Sequence, residues 1–179
     1  MYSFADVSGS HFNPGITFGM VANRKISVKK GMAYIVAQLL ASVLATLVLL
    51  ISYPNPATTM QALVVDISTS STLNMFVLEF MSSFVLVYVV FATALDSPLN
   101  LKSGSYKAAF APLAIGTTIG ALSVIGAAYN PARVFGPMVV SGGSGISEHW
   151  LFWVADSLGG AVAGFTQREL ITYARNVCI

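Results

Sequence analysis

Two stretches decide the fold: His11-Phe12-Asn13-Pro14-Gly15-Ile16-Thr17-Phe18-Gly19 and Ala128-Tyr129-Asn130-Pro131-Ala132-Arg133-Val134-Phe135-Gly136. Both read Asn-Pro-x-x-x-Phe-Gly, and the second asparagine stands 117 positions after the first. Agreement of that kind at such a separation points to an internal repeat. Asn is a strong N-cap and Pro suits the first helical position, where its missing N–H is not needed. Each stretch therefore opens a short helix, expected over residues 13–23 and 130–140. Neither reaches the roughly 20 residues that cross a bilayer core.

Composition supplies the setting. The chain has 179 residues, 55% hydrophobic and only 9% charged, with a mean hydropathy of +0.75. Soluble domains carry about 25% charged residues, so a soluble globular enzyme is disfavoured. Disorder fails for the same reason. A net charge of +2, with no basic run interleaved with aromatics, gives no case for nucleic acid. The one cysteine, Cys178, allows neither an internal disulfide nor a cysteine metal cluster. No cofactor or metal motif is expected, and the lipid bilayer is the expected surrounding.

Four long apolar stretches fit membrane spans, at about 31–53, 73–95, 107–125 and 148–173. Turn chemistry separates them: Tyr53-Pro54-Asn55-Pro56, Asp96-Ser97-Pro98 and Ser141-Gly142-Gly143-Ser144-Gly145. Asn55-Pro56 reads as a plain turn. With four spans, Arg24, Lys25, Lys29, Lys30, Lys102, Lys107, Arg168 and Arg175 share one side. The positive-inside rule makes that side cytoplasmic, with both termini on it. Arg133 is the exception. This topology puts the two Asn-Pro segments on opposite faces, so the repeats are inverted. Two half-helices entering from opposite faces would bring their positive dipole ends together near the midplane. Their capping amides could orient a passing water, and the dipole ends disfavour cations and protons.

These motifs resemble the signatures of the aquaporin, or major intrinsic protein, family. The first signature is similar to Ser8 through Gly19, the second to Asn130 through Pro137. Tyr34 through Ala41 is similar to the family's third helix, Phe76 through Phe80 to its fourth, Pro112 through Gly116 to its fifth, and His149 through Val154 to its sixth. The resemblance implies an all-α membrane protein, a single domain over residues 1–179, with four transmembrane helices and two re-entrant half-helices. It also implies a truncated version of the fold, lacking the first two transmembrane helices. The missing pore wall would then come from a homo-oligomer or a larger membrane complex.

The resemblance also assigns roles. Asn13, Pro14, Gly15, Asn130, Pro131 and Ala132 form the paired pore motifs. Arg133 falls at the selectivity filter, where it donates to solute and repels cations; the plainer alternative is an interfacial arginine reaching outward. Ala127 and Ser123 are the further filter candidates. Glu79 either braces a half-helix through backbone N–H groups or faces a proton path, and bracing is the simpler role for an intramembrane carboxylate. Gln38 is expected to hydrogen-bond between helices, His11 to support the first cap, and His149 to sit at the interface. Gly159, Gly160, Ala163 and Gly164 suggest close helix packing.

Two departures from the family pattern stand out: Gly15 replaces the usual alanine, and Asp156-Ser157 replaces the usual Gly-Pro. Gly142-Gly143-Ser144-Gly145 with His149 resembles an intramembrane serine protease motif, but both groups sit in one short polar loop, so an enzyme is not expected. Two functions follow: a passive channel for water or a small neutral solute, and a non-conducting structural subunit of a larger membrane complex.

Overall fold

The computed structural model describes residues 2–64, 71–95, 106–143 and 145–177. The Asp96-Ser97-Pro98 turn, Lys102, Ser144 and Cys178 lie outside the described residues, as do the side chains of Lys107 and Arg175. Among the described residues every regular element is helical. A short α1 (Ala5–Ser8) leads to α2 (Pro14–Ala22), α3 (Val28–Ser52), α4 (Pro56–Leu63) and α5 (Thr72–Val90). The last continues as π-helical turns over Phe91–Leu95, and α6 (Tyr106–Val124), α7 (Pro131–Val140) and α8 (His149–Val177) follow.

Side-chain caps set the starts of these helices. Ser27 accepts from the N–H of Lys30 at 3.3 Å and Ser71 from that of Asn74 at 3.2 Å, satisfying donors that a helix end leaves open. Asn55 departs from the expected plain turn. Its Oδ1 accepts from Ala57 N at 3.1 Å and Thr58 N at 3.3 Å, and a helix of 8 residues follows. The cap-then-proline chemistry that opens α2 and α7 opens this exposed helix too.

The exterior of the bundle is unlike a soluble protein's, and polar side chains are buried inside it. Leu40, Leu44, Val48 and Ile51 of α3 are exposed, while Gln38 and Thr46 of the same helix are buried. On α5 Glu79, Ser82 and Ser83 are buried, and Leu73, Val77 and Met81 are exposed. Large apolar side chains outward and polar ones inward suit a chain whose solvent is lipid. The α3 helix, and Thr72–Leu95 taken as one helix, are each long and apolar enough to cross a membrane.

Lipid tails give helices no hydrophobic reason to associate, so close packing and polar contacts must hold them. The α5–α8 pair is the most extensive contact; α2 lies against α8 and α7 against α3. Small residues allow the approach. A Cβ on Gly159 would collide with the Phe80 carbonyl, and one on Gly164 with the Asn23 amide. Phe91, Leu86 and Val87 fill one cluster with Ile16 and Ala163. A second gathers Met75, Val134, Leu151 and Phe152.

Candidate functional site

The two Asn-Pro segments meet head to head. Asn13 and Asn130 are both extended, at φ −140° and −158°, and each is followed by proline as the first helical residue. Asn13 Oδ1 accepts from Gly15 N at 2.7 Å. Asn130 Oδ1 accepts from Ala132 N at 3.0 Å and Arg133 N at 3.4 Å. The amide nitrogens then cross over. Asn13 Nδ2 donates to the Tyr129 carbonyl at 2.6 Å, and Asn130 Nδ2 donates to the Phe12 carbonyl at 3.2 Å. Each asparagine thus bonds the residue just before its counterpart. An Asn amide has two N–H donors, so each retains one beyond the crossed bond. The retained donors sit at two helix N-termini, where backbone dipoles add positive potential.

The first segment is held by a cluster around Thr17. The Thr17 hydroxyl donates to the Asn13 carbonyl at 3.0 Å and accepts from Gln38 Nε2 at 2.9 Å. The same hydroxyl lies 2.8 Å from His11 Nδ1. Gln38 also donates to the His11 carbonyl at 2.7 Å. Behind the helix, α8 approaches through glycine: a Cβ on Gly19 would lie 2.8 Å from the Gly160 carbonyl, and one on Gly160 2.5 Å from the Gly15 carbonyl.

The second segment uses different supports. Both oxygens of Glu79, which is fully buried, accept backbone N–H groups: Ala128 at 2.7 Å and Tyr129 at 2.6 Å. Tyr129 has φ +40°, a costly conformation for a bulky residue that these bonds hold in place. Ser42 of α3 donates to the Ala132 carbonyl and accepts from Gly136 N at 3.0 Å. Gly136 leaves no room for a methyl, because a Cβ there would collide with the Ser42 backbone and hydroxyl.

Sequence reasoning missed Ser42, Thr17 and Tyr129. A signal existed for Ser42: Tyr34, Gln38, Ser42 and Thr46 recur every four residues along an otherwise apolar helix and so share one face. Tyr34 bonds the Ser8 carbonyl, Gln38 the first segment and Ser42 the second. This one stripe fastens both half-helices to α3.

Arg133, in the first turn of α7, is exposed; the equivalent position in α2 is Ile16, which is buried. Ala127 is buried in the apolar cluster that contains Tyr129 and Ile115. The Ser123 hydroxyl is engaged, 2.6 Å from the Tyr129 hydroxyl and donating to Ile119 O at 2.8 Å. It ties α6 to the Tyr129 loop. His149, expected at the interface, opens α8. It is buried among rings, 5.8 Å from Phe135, 6.2 Å from Phe152 and 6.4 Å from Trp153. No group of three or more His, Cys, Asp or Glu side chains able to hold a metal occurs among the described residues.

Comparison with known proteins matches this arrangement. The family model described as "MIP: Major intrinsic protein" matches residues 1–167. Aquaporin-B of Dictyostelium discoideum is 44% identical over 196 residues, covering 94% of this chain and 66% of that protein. Aquaporin TIP1-1 of Arabidopsis thaliana is 39% identical over 165 residues, covering 89% of this chain and 62% of that protein. The chain thus spans a little under two thirds of the length of these relatives. The X-ray structure of the aquaglyceroporin from Plasmodium falciparum superimposes with a TM-score of 0.79 at 22% identity, covering 93% of this chain and 75% of that one. That likeness establishes the fold.

Proposed function

The chain belongs to the major intrinsic protein family, and from that premise we propose that it is a passive channel for water or a small neutral solute. It is an integral membrane protein. The observation that carries the channel reading is the crossed pair of amides. Asn13 and Asn130 each use the oxygen for a cap and one N–H for the opposite carbonyl. The remaining N–H of each is the group that orients a solute oxygen. Two convergent positive helix ends then oppose an entering cation or proton.

In this reading Pro14, Gly15, Pro131 and Ala132 shape the two helix starts. Arg133 screens the entrance: an exposed guanidinium donates to a neutral solute and repels cations. Ala127 and Ser123 are wall positions, with the Ser123 hydroxyl turned to Tyr129. The termini face the side that carries most of the basic residues. Phe12, Phe18 and Arg133 are exposed beside the motif pair, and Asn130 is half-buried. Polar groups and irregular backbone at membrane depth need cover by protein or by a water-filled cavity. A neighbouring copy of this chain, or another membrane polypeptide, supplies that cover.

Osmotic shrinkage of liposomes holding only the purified chain tests the proposal. The expected result is shrinkage well above that of empty liposomes, with a low activation energy, lost in an Asn130→Asp variant that stays folded. Background shrinkage by the folded chain, alone and as an oligomer, would favour a structural subunit instead.

A further inference from the structure

Gly15 and Asp156 face each other across the α2–α8 contact, and the internal repeat gives each a reference. The position of Gly15 is taken in the second motif by Ala132, which is buried and helical. A methyl is therefore compatible with this kind of helix start. At Gly15 it is not. A Cβ built there lies 3.1 Å from Ser83 Oγ, 3.2 Å from Asp156 Cβ and 3.2 Å from Asn13 Oδ1. The asparagine contact alone does not forbid a methyl, because Ala132 stands in the same relation to its own capping Asn130. The obstruction is Ser83 and Asp156.

Neither obstructing group can yield cheaply. Ser83 Oγ donates to the Asp156 carbonyl at 2.8 Å, so the two are tied together. Asp156 sits on the stretch of α8 where Gly159 meets the Phe80 carbonyl and Gly160 meets the Gly15 carbonyl. The helix cannot back away without breaking that packing. Asp156 itself is fully buried, and neither carboxyl oxygen has a hydrogen-bond partner among the described residues. Toward the described residues this carboxyl acts by its volume and shape. An unpaired charge in that place would be strongly unfavourable.

We propose that Asp156 is a positioning residue for the first pore motif: its side chain occupies the room that a methyl at residue 15 would need, and through Gly15 it sets where Asn13 presents its amide. The linkage is short. Gly15 N lies 2.7 Å from Asn13 Oδ1, and Asn13 Nδ2 lies 2.6 Å from the Tyr129 carbonyl. Displacing residue 15 moves the cap, and the cap carries the donor that solute meets.

The permeability arm of the test rests on the channel reading; the stability arm does not. Gly15→Ala, Asp156→Gly, the double variant and Asp156→Asn are compared in detergent unfolding and in liposome shrinkage with water and with a larger neutral solute. Both single changes should destabilise the chain. The double should be more stable than additivity allows, by roughly fivefold in the folding constant, as for residues in contact. Gly15→Ala should also change the ratio of water to solute permeation per folded protein, and the double should restore it. Asp156→Asn, which keeps the shape without a carboxyl, should keep the native ratio. Additive stabilities would overturn the pairing. A folded Asp156→Asn chain with an altered ratio would overturn the role of shape and give it to the carboxyl. If the native chain conducts nothing, the channel reading fails while the unfolding cycle still decides the pairing.

Discussion

The two half-helices share a sequence pattern and a cap, yet they are held in opposite ways. Almost every residue of α2 from Pro14 to Met20 is buried, and its back lies on α8 through main chain against main chain at Gly15, Gly19 and Gly160. On α7, two polar side chains, Ser42 and Glu79, grip the segment, while Arg133 and Val139 stay exposed. The repeat has kept what makes a helix start and varied what surrounds it. The face that α2 turns to α8 is largely backbone and leaves little room for an added atom, its polar support coming instead from Thr17 and Gln38 on the side toward α3. A seat made of side-chain bonds can be loosened one bond at a time and leaves one face free for an arginine. The first segment is the more enclosed, fixed half of the pair, and the second the more exposed, adaptable half.

The largest expected effect tests the side-chain seat. Glu79→Leu would leave the N–H groups of Ala128 and Tyr129 buried without an acceptor, just where Tyr129 adopts a positive φ. Each buried N–H left without an acceptor costs about 1–3 kcal/mol. The loss should therefore reach about 2–6 kcal/mol, a large part of the stability of a marginally stable chain. Glu79→Gln keeps an acceptor oxygen and should lose less. Detergent unfolding of the two variants measures the difference, and equal losses would show that one remaining acceptor oxygen cannot hold the pair of N–H groups.

Next come the glycines that occupy equivalent places. A methyl at Gly136 would collide with the Ser42 backbone as well as its hydroxyl, whereas at Gly19 the nearest atom is the Gly160 carbonyl at 2.8 Å. Overpacking of this kind costs about 1–3 kcal/mol. Gly136→Ala should fall at the upper end and Gly19→Ala below it. Because backbone atoms of Ser42 are involved, Ser42→Ala should not rescue Gly136→Ala. A full rescue would mean that α3 yields more readily than its contacts indicate.

The asparagines sharpen the contrast further. Asn13→Ala removes a cap worth about 1 kcal/mol, and also leaves the Tyr129 carbonyl short of its donor in a buried place. Asn130→Ala removes the same kind of cap where the surroundings are partly open to solvent. Thermal unfolding should therefore rank Asn13→Ala as more damaging by about 1 kcal/mol. The reverse ranking would break the assignment of fixed and adaptable halves.

How much of this was legible follows from how local each cause is. An N-cap followed by proline is written in two adjacent residues, so the starts of α2 and α7 can be read directly. The same locality misled at Asn55, where identical chemistry opens an exposed helix and the sequence suggested only a turn. Small residues on α8 announced a close approach, but not to which partner. The supports from Ser42 and Thr17 were harder, because they bond main-chain atoms, and a main-chain atom leaves no mark in sequence, whereas Glu79 was legible as a brace because a carboxylate inside a span needs donors. Ser42 and Gly136 are 94 positions apart. The burial of His149 depends on Phe135 closing over it from α7, which position beside a polar loop could not reveal. Gly15 and Asp156 were each visible as oddities; only the fold shows that they touch.

Arg133 gives the smallest expected effect on stability and the plainest test of the comparison. Its side chain is exposed, and in the same place on the buried half-helix stands Ile16. Surface substitutions away from special features stay within about 0.5 kcal/mol, so Arg133→Ala should unfold much as the native chain does. Its effect should appear in what passes: cation exclusion should weaken and the entry of larger neutral solutes should rise, read as conductance and as solute-driven swelling in the same liposomes. Ile16→Ala should do the opposite, lowering stability by about 2–5 kcal/mol through a cavity in the core and changing selectivity only as far as the fold loosens. If Arg133→Ala instead destabilised the chain strongly and left permeation alone, the exposed face of α7 would be a packing surface for another polypeptide, and the second half-helix would be as fixed as the first.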